Sequence, residues 1–149
     1  MAIQKEVRLK TFIGIDPGVS TGFAVWRPQN KHYELATLSF WECYSRLILW
    51  HISLDKELHV YIENPNLNKP VFSRGVSAAA QIKIAQNVGA NKRDAQLWIE
   101  FCEFYGIQYS EVRPTKSKQS PAEFAKMWGI SKPCSQHARD AFDLIGGRA

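Results

Sequence analysis

"TFIGIDPGVSTGFAVW", residues 11–26, reads as two apolar strands joined by a tight turn. Its first strand ends in a carboxylate, Asp16, immediately before Pro17 and Gly18. Burying a lone ionised group costs several kcal/mol, so this position calls for a pairing cation or a metal nearby. Its other reading is a turn cap.

The neighbouring segments extend the pattern. After the loop "RPQNK" (27–31), "HYELATLSF" (32–40) alternates as a third strand, giving an antiparallel meander with Gly18 and Gly22 punctuating its first turn. "ECYSRLILWHISLDKE" (42–57) sets Tyr44, Leu47, Ile48 and Ile52 at helical spacing. "HVYIE" (59–63) is a short buried strand ending at Glu63, and the Asn- and Pro-rich "NPNLNKPVFSRG" (64–75) is a loop. Val76 to Tyr105 is helical, with Leu97, Trp98, Phe101 and Tyr105 on one stripe, a break or pinch expected at Gly89-Ala90, and a stop at Gly106. "IQYSEVR" (107–113) is a fifth strand. "SPAEFAKMWG" (120–129) opens with a capping box and closes on glycine, and "SQHARDAFDLIGG" (135–147) is the last helix. Three antiparallel strands followed by alternating strand and helix predict an α/β fold, a mixed five-stranded sheet flanked by helices.

Composition bounds the function. At 149 residues the expectation is a single domain spanning 1–149. No run approaches the roughly 18 apolar residues that span a bilayer, and "MAIQKEVRLK" has no signal-peptide pattern. The expected location is therefore the cytoplasm, without a membrane partner. Cys43, Cys102 and Cys134 are widely spaced and odd in number, which fits reduced structural thiols better than a zinc site or a disulfide framework. Nineteen Lys and Arg against fourteen Asp and Glu give a net charge of +5, which favours a polyanionic partner.

Two strands thus end in acids, Asp16 and Glu63, and would present them side by side if adjacent in the sheet. Asp140 lies on the last helix with His137 one turn before it. Converging from separate elements, the four would make an oxygen-rich site suited to Mg²⁺ or Mn²⁺. Separately, Glu63 reads as a solvated strand end, Asp140 as an exposed helix residue and His137 as a local hydrogen-bonding partner. Asp143 stays outside the set, because one helix rarely aims positions 137, 140 and 143 at one small site.

"IGIDPGVSTGFAVW", the strand-terminal "IE" at Glu63 and "QHARDAFDL" together resemble the three acidic motifs of the RuvC-type Holliday junction resolvases, in the RNase H and retroviral-integrase superfamily. The resemblance runs in order over about residues 11–146. It implies an RNase H-like fold and a homodimer that cuts four-way DNA junctions by paired phosphodiester hydrolysis, with no nucleotide cofactor. It carries Asp16, Glu63 and Asp140 over to the metal-binding carboxylates, with two Mg²⁺ or Mn²⁺ ions per site. His137 falls where some members have Asp, and is expected to bind metal or position water. Lys116 or Lys118 resembles the family's backbone-holding cations. A bacterial cell or a phage-infected host is the expected setting.

DNA contacts are expected from Lys69, Phe72 and Arg74 in the loop after Glu63, and from Lys83, Lys92, Arg93, Arg113, Lys116 and Lys118. Phe72 is equally a core residue on composition, and the helix cations equally a solvated face. "SAAA" and "GA" on the long helix permit the close approach a dimer interface needs. "GIDPGVSTG" also resembles the phosphate-binding opening of sugar kinases and actin-like ATPases, but 149 residues leave no second domain to close a nucleotide cleft. Nearer alternatives are a related nuclease for RNA or simpler branched DNA, and a junction-binding protein that does not cut.

Overall fold

The structure, a computed structural model, describes residues 9–54, 57–68, 77–115 and 118–149. Lys69, Phe72, Arg74 and Lys116 lie outside the described residues. The elements follow in the order β1 (Thr11–Asp16), β2 (Thr21–Arg27), β3 (His32–Leu38), α1 (Phe40–Leu54), β4 (Leu58–Glu63), α2 (Ala78–Tyr105), β5 (Gln108–Val112), α3 (Pro121–Trp128) and α4 (Gln136–Asp143). The five strands form one sheet in the order β3-β2-β1-β4-β5. β1, β2 and β3 pair antiparallel, whereas β4 and β5 join parallel to β1 and to each other. This is the mixed α/β arrangement that the strand and helix pattern predicts.

Strand alternation sends successive side chains to opposite faces. On one face Ile13, Ile15, Phe23, Val25, Val60 and Ile62 form a core that continues into Leu47 of α1 and Trp98 and Phe101 of α2. On the other, Ala24 meets Phe124 of α3 and Ala141, Phe142 and Ile145 from α4 and its end. Asp16 shares the second face with Gly14, and Glu63 shares it with Tyr61.

The helix ends are locally determined. Ser39 opens α1 with a reciprocal pair: its Oγ accepts from Glu42 N–H, and Glu42 Oε2 accepts from Ser39 N–H. Ser120 and Glu123 do the same for α3, Ser77 caps α2 and Ser135 caps α4. Gly106 and Gly129 close α2 and α3 in the left-handed region, where a Cβ is disfavoured.

Four local expectations are corrected. Gly89-Ala90 does not interrupt α2, which runs unbroken for 28 residues, because one Gly costs only about 1 kcal/mol against the cooperativity of a long helix. Helix α1 begins two residues earlier than its apolar spacing suggests, at the Ser39 cap. Its Ile52 is exposed and Cys43 is buried instead. Gly22 lies within β2, opposite Asp16, and not in the turn. Cys43 and Cys102 are buried free thiols, each pushed up to about 12 by burial, and Cys134 is also free.

The N-terminal half of α2 leaves the body of the protein. Its residues from 81 to 91 are all exposed, Ile82, Ile84 and Val88 among them. No helix among the described residues is long and apolar enough to cross a membrane.

Candidate active site

β1 and β4 are parallel neighbours with Ile15 beside Ile62, so the next residues, Asp16 and Glu63, emerge together at the strand ends. Helix α4 crosses the same face, over β2, β1 and β3. Glycines let it come close: a Cβ on Gly14 would stand 2.0 Å from the carbonyl oxygen of Ala141, and one on Gly22 would stand 2.0 Å from that of His137. The Ser135 hydroxyl at the start of α4 is hydrogen-bonded to the Thr37 hydroxyl of β3. Close approach and a tethered end together aim His137 and Asp140 at the two strand-end acids.

Asp16, Glu63, His137, Asp140 and Lys118 consequently line one open cleft of about 600 Å³. His137 Nδ1 lies 3.0 Å from Asp16 Oδ2, with the imidazole side chain 51% exposed. Lys118 Nζ donates to Asp140 Oδ2 at 2.8 Å. The three carboxylates are nearly buried, at 9% exposure for Asp16 and 8% each for Glu63 and Asp140.

Burial and like charge mark the electrostatics. Burial raises Asp16 above the ordinary aspartate range, with His137 hydrogen bonding against it and the charge of Asp140 with it. Glu63 is pushed up to about 7, first by burial and then by the charge of Asp16. Lys118 is raised although burial opposes it, because Asp140 hydrogen-bonds it and Glu63, Asp140 and Asp16 surround it. Among the described residues three carboxylates face one lysine, and a divalent cation would relieve their surplus negative charge.

The donor set is therefore chemically fitted to Mg²⁺ or Mn²⁺: three carboxylates and an imidazole from β1, β4 and α4, opening on solvent. Among the described residues, no three His, Cys, Asp or Glu side chains already stand around a single point as ligands do. Asp140 in particular is engaged by Lys118, which a bound ion would have to displace.

The expected DNA-contact residues divide. Lys118 lines the cleft, and Arg113 lines a second cavity of about 140 Å³ behind it, which shares Glu63, Lys118 and Asp140 and adds Arg148. Lys83 lies on the projecting half of α2, one turn from the cleft-lining Asn87. Arg93 is not brought to the cleft; it pairs with Glu100 at 3.6 Å. Lys92 is half-buried, and its carbonyl accepts from the Asn66 side chain. Asp143 accepts from Trp128 Nε1 at 2.9 Å and borders the second cavity, not the cleft.

Several cleft residues escape a reading by residue type. Asn87 and Asn91 line it from α2, one turn apart, and Gln136 lines it from α4. Their i, i+4 spacing is visible in sequence, but amides on an exposed helix carry no distinguishing chemistry. Arg148 carries no motif either; the fold stacks its guanidinium 3.7 Å over the Tyr61 ring.

No protein-family model matches the sequence, and no curated protein matches it.

Proposed function

We propose that this chain is a metal-dependent nuclease that hydrolyses phosphodiester bonds in nucleic acid. The observation that carries the reading is the parallel register of β1 and β4, which sets Asp16 beside Glu63 under Asp140 of α4 in an open cleft. The motif resemblance narrows the class: the proposed enzyme is a RuvC-type resolvase, acting as a homodimer on four-way DNA junctions.

Asp16, Glu63 and Asp140 would hold the ions, with His137 as a further donor. A bound Mg²⁺ or Mn²⁺ pair supplies Lewis acidity for attack by water on phosphorus and for departure of the 3′ oxygen. Asp16, next to both Glu63 and His137, would be the central ligand. His137 Nδ1 is held by Asp16, which leaves Nε2 to orient a water or accept its proton. Lys118, pre-aligned by Asp140, offsets charge that develops on the phosphate. Arg113 and Arg148, bordering the cavity behind the acids, suit the flanking backbone phosphates.

Symmetric cutting requires two such sites, and a C2 dimer supplies them. The projecting half of α2, with Ile82, Ile84 and Val88 uncovered, supports that assembly, because a free helix of this length is marginal in water.

The test is cleavage of a labelled synthetic four-way junction in Mg²⁺ and in Mn²⁺, beside linear duplex and an RNA–DNA hybrid, with Asp16→Asn as control. Paired nicks in the junction alone, absent in the variant, are the expected result. Preferential cutting of the hybrid would move the substrate to RNA, and tight junction binding without cutting in either metal would make the chain a binding protein.

A further inference from the structure

Asp140 is held by two donors of different character. Lys118 donates to Oδ2 from a side chain that is 46% exposed. Gln136, one turn earlier on α4, donates from Nε2 to Oδ1 at 2.8 Å. A glutamine amide can ordinarily turn either end toward a neighbour, but this one has no choice. Arg139 Nη2 donates to Gln136 Oε1 at 3.1 Å. A guanidinium has no acceptor atom, so the amide oxygen must face it and the NH₂ must face Asp140.

Arg139 is itself anchored. It is 7% exposed, and its Nη1 donates to the carbonyl of Cys134 at 2.7 Å. Both hydrogen-bond acceptors are neutral and Nε has none; the Asp143 carboxyl feels the charge of Arg139 without a hydrogen bond to it among the described residues, so the desolvation of the buried guanidinium is offset only in part. An aliphatic side chain would fill the position with less desolvation. What the guanidinium adds is a fixed direction for the Gln136 amide.

Resting on the nuclease reading above, we infer that Gln136, locked by Arg139, is a positioning residue that sets the carboxylate of Asp140 for a divalent cation. Oδ1 stays tied to its own helix, while Oδ2 is held, among the described residues, by the exposed Lys118. When an ion displaces the exposed Lys118 from Oδ2, Asp140 keeps its orientation through Oδ1 and Gln136.

The experiment is Mn²⁺ titration of the full chain, followed by the electron paramagnetic resonance signal of the free ion, without substrate. Gln136→Met keeps the size of the side chain and removes its donor. Groups that orient metal ligands typically contribute about 10–100-fold in metal affinity, and that is the weakening expected for Q136M, with the thermal midpoint only a few degrees lower because Arg139 Nη2 loses its acceptor. R139M is expected to weaken Mn²⁺ to a similar degree, and the Q136M/R139M double variant no further than Q136M, because Arg139 acts through Gln136. The Q136M arm stands without R139M, whose buried site makes it the variant that can fail to fold. Wild-type affinity in Q136M overturns the inference, as does additivity in the double variant. If the wild-type chain binds no Mn²⁺ at all, the nuclease reading falls and takes this inference with it.

Discussion

Gly22→Ala adds a single methyl group and tests how the site is assembled. The new Cβ would stand 2.0 Å from the His137 carbonyl oxygen, 2.5 Å from its carbon and 3.0 Å from the Asp16 Cβ. The first two are backbone atoms and cannot rotate away. Restoring ordinary contact, which begins at 3.4 Å, requires α4 to retreat from β2 by roughly 1.4 Å in a close-packed interior. His137 and Asp16, 3.0 Å apart, would then part beyond hydrogen-bonding distance. Overpacking of this kind costs about 1–3 kcal/mol. At about 2–4 °C per kcal/mol for a chain of this size, the thermal midpoint should fall by some 2–12 °C. A displacement of this size near reacting groups is expected to lower kcat about 100-fold. Gly89→Ala is the control for the melt alone, since its half of α2 is the proposed dimer face: nothing of its own chain lies within 4 Å of the Cβ, so α2 should gain about 0.5–1 kcal/mol. The assays are a thermal melt and junction cleavage at saturating Mg²⁺. A G22A protein that melts and cuts like the parent would refute the account of α4 seated on glycine.

Other predictions concern charge and caps. In EDTA the protein should lose stability as pH rises from 4.5 to about 7, because the folded-state pKa of Glu63 is raised. Its contribution is complete below the unfolded value and gone above the folded one. Thermal midpoints across that range should show the fall, Glu63→Gln should flatten it, and saturating Mg²⁺ should oppose it. Lys118→Met should lower kcat about 100- to 1000-fold with little change in KM, as expected for a group that meets charge developing at the phosphate; an unchanged kcat in single-turnover cleavage would exclude that role. Ser120→Ala removes the α3 cap seen at Glu123 N–H and should cost about 1 kcal/mol in urea unfolding, leaving cleavage intact.

The fold was legible because period and punctuation agree in the same segments. Strand alternation around Ile13 and Ile15, the Ser120–Glu123 box and the glycine stops at 106 and 129 each report a local preference that the tertiary structure keeps. Gly22 was misread as turn punctuation, because its use depends on an interaction with His137, 115 positions away, that no local pattern encodes. Ile52 is four residues after Ile48 but lies on the side of α1 opposite Cys43, turned to solvent while Trp50 beside it still packs on the core, so spacing alone could not bury Cys43 in its place.

At the site the ordering of acids on strand and helix ends was readable, and so was the position of Lys118 shortly after β5. Their meeting depends on the parallel pairing of β1 with β4, which strand patterns alone leave open. The contacts that hold Asp140 were not readable. Gln136 and Arg139 look like ordinary polar residues of a capped helix, and only burial with the carbonyl of Cys134 reveals what they bind. Arg93 looks equivalent to its neighbours in sequence, but it pairs with Glu100, two turns along the same helix face.

The central claim is that Asp16, Glu63 and Asp140 form one metal centre. Crystals grown with Mn²⁺ and measured above and below its absorption edge test it without any substrate. Anomalous peaks are expected touching the Asp16 carboxylate and shared with Glu63 and Asp140, a pair separated by about 3.5–4 Å when both ions are bound. A map with no peak at these carboxylates, or with Mn²⁺ held elsewhere on the chain, would contradict it.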